Sequence, residues 1–370
     1  MVERVYNFSP GPAVLPLAVL QQAQRDLVAL PGVGMSVLEI SHRSKAFEAM
    51  LAEAKSLLAE LLGIPAGYQV LFLQGGSSLQ FTMLPMNFLG ASGKGADYIV
   101  TGTWGGKALE SAQREGKVRA AWDGKAENYS RLPSSGELKL DPGAAYVHFT
   151  SNETIQGVEF PGEPDVGRIP LVCDASSDFL SRPVDMPRYS LLYACAQKNA
   201  GIAGVTVVIV RDEMLKRAND KLPPMLDYRL QAKNDSLYNT PPVFGVYILM
   251  LIGRWLRDEI GGLANMAKIN QEKAQLLYDV LDENGDFFTP HARPDCRSNM
   301  NVTWRLPSEE LEQAFIKQAQ ARGLFDLKGH RSVGGIRASI YNAMPTEGVR
   351  KLRDFMLEFH AAHAAKAGAR

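Results

Sequence analysis

Four short stretches of this sequence carry side chains that could do chemistry, and each follows a run that reads as a strand. Leu171-Val172-Cys173 leads into Asp174, and Leu191–Ala194 leads into Gln197 and Lys198, so a carboxylate and an amine follow two strand candidates. Val70–Leu73 leads into Gln74-Gly75-Gly76-Ser77-Ser78 and then an apolar helical segment. Such a turn of small residues at a helix start can offer backbone N–H groups and hydroxyls to a phosphate. Tyr98–Val100 is followed by Trp104, whose indole could cover a flat ring. In an open α/β sheet, ligands bind at the carboxyl ends of strands, where these residues would fall. An ion pair would account for Asp174 and Lys198 if they stood alone, and a tight turn for residues 74–78. Together they supply what pyridoxal 5'-phosphate requires: a lysine for the Schiff base, an acidic partner for the pyridinium nitrogen and an anchor for the phosphate.

Two basic elements add to this set. His330, Arg331 and Arg337 lie within eight residues among glycines, and His42-Arg43 precedes a helical segment starting at Ser44. Arginine forks suit carboxylates and phosphates, so these residues point to a substrate with more than one anionic group, solvated basic loops being the plainer alternative. Other chemistries lack their residues. There is no GxGxxG, and none of the four Gly-Lys pairs is followed by Ser or Thr, which removes the dinucleotide fingerprint and the Walker A loop. Cys173, Cys195 and Cys296 are odd in number and without CxxC spacing, so neither a disulfide scaffold nor a zinc knuckle is expected; the first two read as core. No metal site is expected.

The elements that must position these residues are legible from periodicity. Seven short runs rich in β-branched and aromatic residues (Val70–Leu73, Tyr98–Val100, Val118–Trp122, Tyr146–Phe149, Leu171–Cys173, Leu191–Ala194 and Val205–Val210) alternate with helical or glycine-punctuated stretches. That alternation predicts an α/β fold with a mainly parallel sheet wrapped by helices. Phe47, Met50, Leu51, Ala54, Leu58 and Leu61 recur at helical spacing, with Gly63 as the stop. Beyond residue 260 the pattern changes to a long helix, short strands and a final amphipathic helix from Thr346 to about His363, with a frayed Ala-rich tail. The expected division is a large domain at 16–258 and a smaller C-terminal α+β domain at 259–370, joined by the N-terminal segment 1–15.

The chain has 370 residues, 46% of them hydrophobic and 22% charged, and its 40 basic and 40 acidic side chains cancel. A disordered chain is excluded, and no general electrostatic pull toward nucleic acid exists. The longest apolar run, Val243 to Ile252, is about half of the ~20 residues a membrane helix needs and reads as a buried helix. The start, Met-Val-Glu-Arg-Val-Tyr, carries an acid where a secretory leader is basic, so a cytoplasmic location is expected.

These residues together resemble the phosphoserine aminotransferase family, class V pyridoxal-phosphate enzymes of fold type I. The resemblance spans essentially the whole chain. It rests on Asn7-Phe8-Ser9-Pro10-Gly11-Pro12, Ser41-His42-Arg43-Ser44, Gln74 to Phe81, Ser151-Asn152-Glu153-Thr154, Ser181-Arg182-Pro183, Ala196-Gln197-Lys198-Asn199, Tyr238-Asn239-Thr240-Pro241-Pro242 and residues 328–345. It implies that Lys198 carries the cofactor covalently, Asp174 meets the pyridinium nitrogen, Trp104 stacks on the ring and Thr154 lies at its polar edge. Ser77, Ser78 and Gln197 would hold the phosphate, and Asn239 and Thr240 would complete the site of a neighbour in a homodimer. His42, Arg43, His330, Arg331 and Arg337 would bind substrate anions.

The implied reaction is a ping-pong transfer of the amino group of L-glutamate to 3-phosphohydroxypyruvate, giving O-phospho-L-serine and 2-oxoglutarate for serine biosynthesis. A related reaction of the family forms 4-phosphohydroxy-L-threonine for pyridoxine biosynthesis. Lys198, as a free amine held against the cofactor near cationic neighbours, is expected to have a depressed pKa suited to a general base. The sequence departs from the family pattern at Cys195, Ala200 and Ile202 beside the lysine, and at Ser77-Ser78, where many members have Gly-Arg. The alternatives are a fold relative of alanine–glyoxylate aminotransferase type and a non-catalytic dimeric binding protein.

Overall fold

Seven segments with dense β-branched and aromatic content pair into one sheet: Tyr68–Leu73 (β1), Ala96–Val100 (β2), Val118–Asp123 (β3), Val147–Thr150 (β4), Leu171–Asp174 (β5), Tyr189–Cys195 (β6) and Thr206–Arg211 (β7). The structure is a computed structural model that describes residues 4–90 and 93–367. The strand order is β1-β7-β6-β5-β4-β2-β3. β7 runs antiparallel to both of its neighbours and the remaining pairs are parallel, so six strands share one direction and six carboxyl ends share one edge.

Every residue of β2, β4 and β5 is buried, as expected for strands covered on both faces. Side chains alternate between two cores. Leu192, Ala194, Val207 and Ile209 pack with Phe47, Leu51, Leu58 and Val246 from helices Lys45–Leu62 and Val243–Arg254. Leu191, Tyr193, Val208 and Val210 face the other way, onto Phe81, Leu84 and Ala108. Ser44 caps the Lys45–Leu62 helix by accepting from Phe47 N at 3.3 Å, and Gly63, at φ 61°, ends it. Val243–Arg254 is the apolar run noted in the sequence; its residues 245–253 are all buried in the protein. Among the described residues no helix is long and apolar enough to cross a membrane.

Past a π-helical turn at Trp255–Glu259, the helix Leu263–Glu283 begins with Leu263 and Met266 in the first core and continues into a third. That third core joins Leu277, Phe288, Trp304, Phe315, Ile336 and Phe355, and Phe8 enters it from the N-terminal segment. It lies on a three-stranded antiparallel sheet, Thr289–Pro290 (β8), Asn301–Arg305 (β9) and Ile336–Ser339 (β10), in that order. Tyr6–Asn7 pairs with Leu324–Phe325, which fixes the N-terminal segment there. The last helix runs from Thr346 to Ala367, longer than the end near His363 read from the sequence. Residues 368–370, the end of the expected frayed tail, lie outside the described residues.

Candidate active site

Because six strands point one way, the loops that follow them meet at one edge and enclose a cavity of about 360 Å³. Lys198 follows β6 and Asp174 ends β5; both line the cavity. Lys198 Nζ donates to Thr154 Oγ1 at 3.1 Å and lies 5.6 Å from the centroid of the Trp104 ring. Gly11 approaches so closely that a Cβ there would stand 3.4 Å from Lys198 Cγ, and Ala13 N donates to Gln197 O, so the N-terminal loop packs on the lysine segment.

Asp174 is buried, and its Oδ1 accepts from Ser176 N at 3.0 Å and from the Ser176 hydroxyl. Ser176 Oγ in turn meets Ser77 Oγ, which ties the aspartate to the turn after β1. Burial raises the Asp174 carboxyl above its ordinary value, while the Ser176 hydrogen bond and Lys198 pull it back. In the chain alone, the balance at Lys198 runs upward. Its desolvation lowers the pKa, but Tyr341, Cys195 and Asp174 raise it, Arg337 opposing them, and the balance lies above the ordinary lysine value. The expected depression is that of an amine held against the cofactor among cations; in the chain alone Tyr341, brought up by the fold, and Cys195, three positions away in the sequence, outweigh Arg337.

The turn after β1 opens the helix Gly76–Phe88. Gly75 sits at φ 88° and no side chain caps this helix start, so its first N–H groups face the cavity beside Ser77 and Ser78. The next helix start is different. Trp104 stands in the first turn of Thr103–Ala112, whose N–H groups are taken by Glu153 and Gln156.

Arg337, on β10, reaches the cavity from the smaller sheet. It is buried, touches Thr154 O at 3.5 Å, and its Nε has no hydrogen-bond partner. Burial lowers its pKa, and among the described residues no carboxylate pairs with it. His330 also lines the cavity, with Nδ1 2.7 Å from Ser332 Oγ; burial and then Arg337, Lys107 and Arg331 lower its pKa.

Of the residues singled out in the sequence, Ser77, Ser78, Trp104, Thr154, Asp174, Gln197, Lys198, His330 and Arg337 therefore converge on one cavity. Arg331 does not line it; it lies in the adjoining groove with Lys317 and Lys328. His42 and Arg43 do not line it either. Asn239 and Thr240 meet Gln74 instead, Asn239 Nδ2 donating to its Oε1 and Thr240 O accepting from its Nε2, both at 3.3 Å. The sequence reading assigned no role to Ser176, Asn152 or Glu153. Ser176 was discoverable as a hydroxyl two residues past a strand-end aspartate, the spacing of a local Asx turn.

The cavity fits pyridoxal 5'-phosphate on its own polar inventory. Trp104 Nε1, Thr150 Oγ1, Asn152 Oδ1 and Arg337 Nε are buried without a partner around or beside an amine, a carboxylate and an uncapped helix start. Trp104 Nε1 and Arg337 Nε donate, Asn152 Oδ1 accepts and Thr150 Oγ1 can do either, so they call for a polar occupant with acceptors and donors of its own. Fold and site together define an α/β transferase of fold type I.

The chain belongs to the class V aminotransferase family, whose sequence profile matches residues 5–352. It is 52% identical over 358 residues to the phosphoserine aminotransferase of Rhodopirellula baltica, an alignment that covers 96% of this chain and 95% of the relative. Among solved structures it is similar to phosphoserine aminotransferase from Bacillus circulans subsp. alkalophilus, with TM-score 0.95 and 50% identity, covering 98% and 99% of the two chains. It is also similar to the PLP-bound phosphoserine aminotransferase of Trichomonas vaginalis, with TM-score 0.90 and 41% identity over 95% and 99%.

Proposed function

We propose that this chain transfers the amino group of L-glutamate to 3-phosphohydroxypyruvate, giving O-phospho-L-serine and 2-oxoglutarate, with pyridoxal 5'-phosphate as cofactor. One observation carries the reading: Lys198, Asp174, an uncapped helix start and an unpaired buried arginine share one cavity. The identity of about half the residues with phosphoserine aminotransferases supports the choice of substrate.

Ser77, Ser78 and Gln197, with the N–H groups at the start of Gly76–Phe88, would hold the cofactor phosphate. Asp174 would stand opposite the ring nitrogen, Trp104 against one face and Thr154 at the polar edge. When bound, the cofactor supplies an electron sink that weakens the bonds at the substrate Cα. Lys198 Nζ, as the free amine, takes the proton from that Cα. Since the chain alone holds Lys198 above the ordinary lysine value, its base function depends on the occupied cavity. Arg337 and His330 orient the phosphate of one substrate and the side-chain carboxylate of the other, and Arg331 draws anions in from the adjoining groove.

The protein acts as a homodimer in this reading. Asn239 and Thr240 complete the neighbour's cofactor site, and His42 and Arg43 join the anion site. The exposure of Tyr238, next to Asn239 and Thr240, leaves that segment open to a neighbouring chain. A division into units at 16–258 and 259–370, with segment 1–15 on the smaller, and a cytoplasmic location belong to the same proposal.

The test is the visible absorbance of the cofactor-loaded protein before and after O-phospho-L-serine, with alanine and cysteine as comparisons. Conversion by phosphoserine alone is expected. Conversion by alanine or cysteine alone would leave the fold and overturn the substrate. A loaded sample that no amino acid converts would favour a non-catalytic binding protein.

A further inference from the structure

Thr103–Ala112 begins at the cavity wall, and its first three N–H groups are held by side chains of one short hairpin, residues 152–159. Thr103 N donates to Gln156 Oε1 at 3.2 Å, Trp104 N to Glu153 Oε2 at 3.0 Å and Gly105 N to Glu153 Oε1 at 2.8 Å. Gln156 Nε2 also donates to Thr103 Oγ1 at 2.8 Å. The fourth position, Gly106 N, already bonds Gly102 O, so the helix start is fully satisfied. The neighbouring helix Gly76–Phe88 has no such cap.

Two glycines leave space for the carboxylate. A Cβ on Gly102 would stand 2.4 Å from Glu153 Cδ and 2.6 Å from its Oε2, and one on Gly105 would stand 3.2 Å from Oε1. Glu153 is fully buried. Burial outweighs the two backbone N–H groups that lower it, and with Asp174 and Lys198 acting in opposite directions the carboxyl is raised to about 7. The motif Ser151-Asn152-Glu153-Thr154 contributes to the family resemblance, but neither that resemblance nor the proposed reaction gives this carboxylate a role, although it adjoins Thr154, the partner of Lys198.

We propose that Glu153 is a positioning residue: by clamping two successive N–H groups of a helix start it fixes Trp104 against the cavity where the cofactor ring would lie. Trp104 packs on the core around Phe81, whose ring lies at 6.4 Å and is tilted by 48°, and near two lysine amines, but its polar edge is not fixed by a bond, since Nε1 has no hydrogen-bond partner. A carboxylate suits this task better than an amide of equal size, because both of its oxygens accept, whereas a glutamine turns an NH₂ group against one of the two N–H donors. The consequence for the cofactor rests on the proposed function above; the clamp on Trp104 does not.

The experiment uses the full chain labelled with 5-fluorotryptophan, the Trp104 resonance being identified by Trp104→Phe. In Glu153→Gln the Trp104 signal should shift or broaden while those of Trp122, Trp255 and Trp304 stay in place. The Kd for pyridoxal phosphate, measured by absorbance titration, should rise about tenfold, the cost expected when a side chain no longer held in place must be ordered on binding. Gly105→Ala crowds the same carboxylate from the helix side and should move the same signal, which keeps the test available if the glutamine variant does not fold. An unmoved Trp104 signal in folded Glu153→Gln, or equal movement of all four tryptophans, would overturn the clamp. A moved signal with an unchanged Kd would overturn its service to the cofactor, and a wild-type chain that takes up no pyridoxal phosphate would overturn the proposed function while the fluorine signals still decide the clamp.

Discussion

At the scale of single residues, the site is a small number of polar groups held without the partner that would complete them. Lys198 has a neutral hydroxyl at 3.1 Å, and Arg337 has a carbonyl at 3.5 Å and an unpartnered Nε. Lys198→Ala is expected to abolish covalent cofactor attachment and to lower turnover by ~10²–10⁴-fold, the usual contribution of a positioned base; normal absorbance of the loaded variant would refute its role. Arg337→Ala should raise KM for phosphoserine by roughly 10- to 100-fold, in keeping with a charged hydrogen bond worth ~1.5–3 kcal/mol, and leave the absorbance of the loaded protein alone. Steady-state kinetics on phosphoserine decide it. Lys198 and Asp174 were legible in the sequence because a lysine and an aspartate after strand ends have few bland explanations in combination, and Arg337 because it belongs to a basic run among glycines. Ser176 and Glu153 were not, because their importance lies in which N–H or carboxylate they meet.

At the scale of elements, two neighbouring helix starts have been given opposite treatments. Gly76–Phe88 begins on a left-handed glycine with no cap, and Thr103–Ala112 begins under a buried carboxylate. Gly75→Ala would force a Cβ to within 2.6 Å of Leu79 Cδ2 at a φ of 88°. Strain of ~1–2 kcal/mol is expected, seen as a lower melting temperature together with weaker binding of pyridoxal phosphate. A variant with unchanged melting and binding would show that the turn does not depend on this conformation. Away from the site, Ser44→Ala removes the cap of Lys45–Leu62 and should cost about 1 kcal/mol in denaturant unfolding without altering activity. The periodicities that announce these helices and strands are local, which is why all seven strand runs of the sequence reappear in one sheet. Their order was not local: that β1 lies beside β7, and both at the side away from β2, follows from long-range pairing.

At the scale of the whole molecule, the sheet that aligns the site also buries groups with no part in it. His148, on β4, is fully enclosed; its Nε2 lies 2.8 Å from Tyr193 Oη, and burial pushes its pKa down from 6.5 to about 3. The unfolded chain takes up this proton below pH 6.5 and the folded chain only near 3, so the stability is fully present above 6.5 and is lost as pH falls toward 3. Between pH 7 and 5 this group should remove about 2 kcal/mol, and His148→Gln should flatten that part of the profile in denaturant unfolding. An equally steep profile in the variant would refute the assignment. The dimer proposal predicts complementation: mixing Lys198→Ala chains with Asn239→Ala/Thr240→Ala chains should restore one intact site per mixed dimer, while either variant alone stays impaired. Activity that never exceeds that of the separate variants would count against sites shared between chains.

The sequence by itself determined the class of fold, the cofactor chemistry and nine of the residues that line the cavity, because hydrophobic periodicity and residue type act over a few neighbours and survive in one dimension. Only the tertiary structure decided that Arg337 is buried with its Nε unpartnered, that Arg331 faces a groove beside the cavity, and that Glu153 caps a helix whose start lies about fifty positions earlier in the chain. Each of these depends on the dielectric surroundings and on contacts between distant segments, and electrostatic energy is set by distance in space.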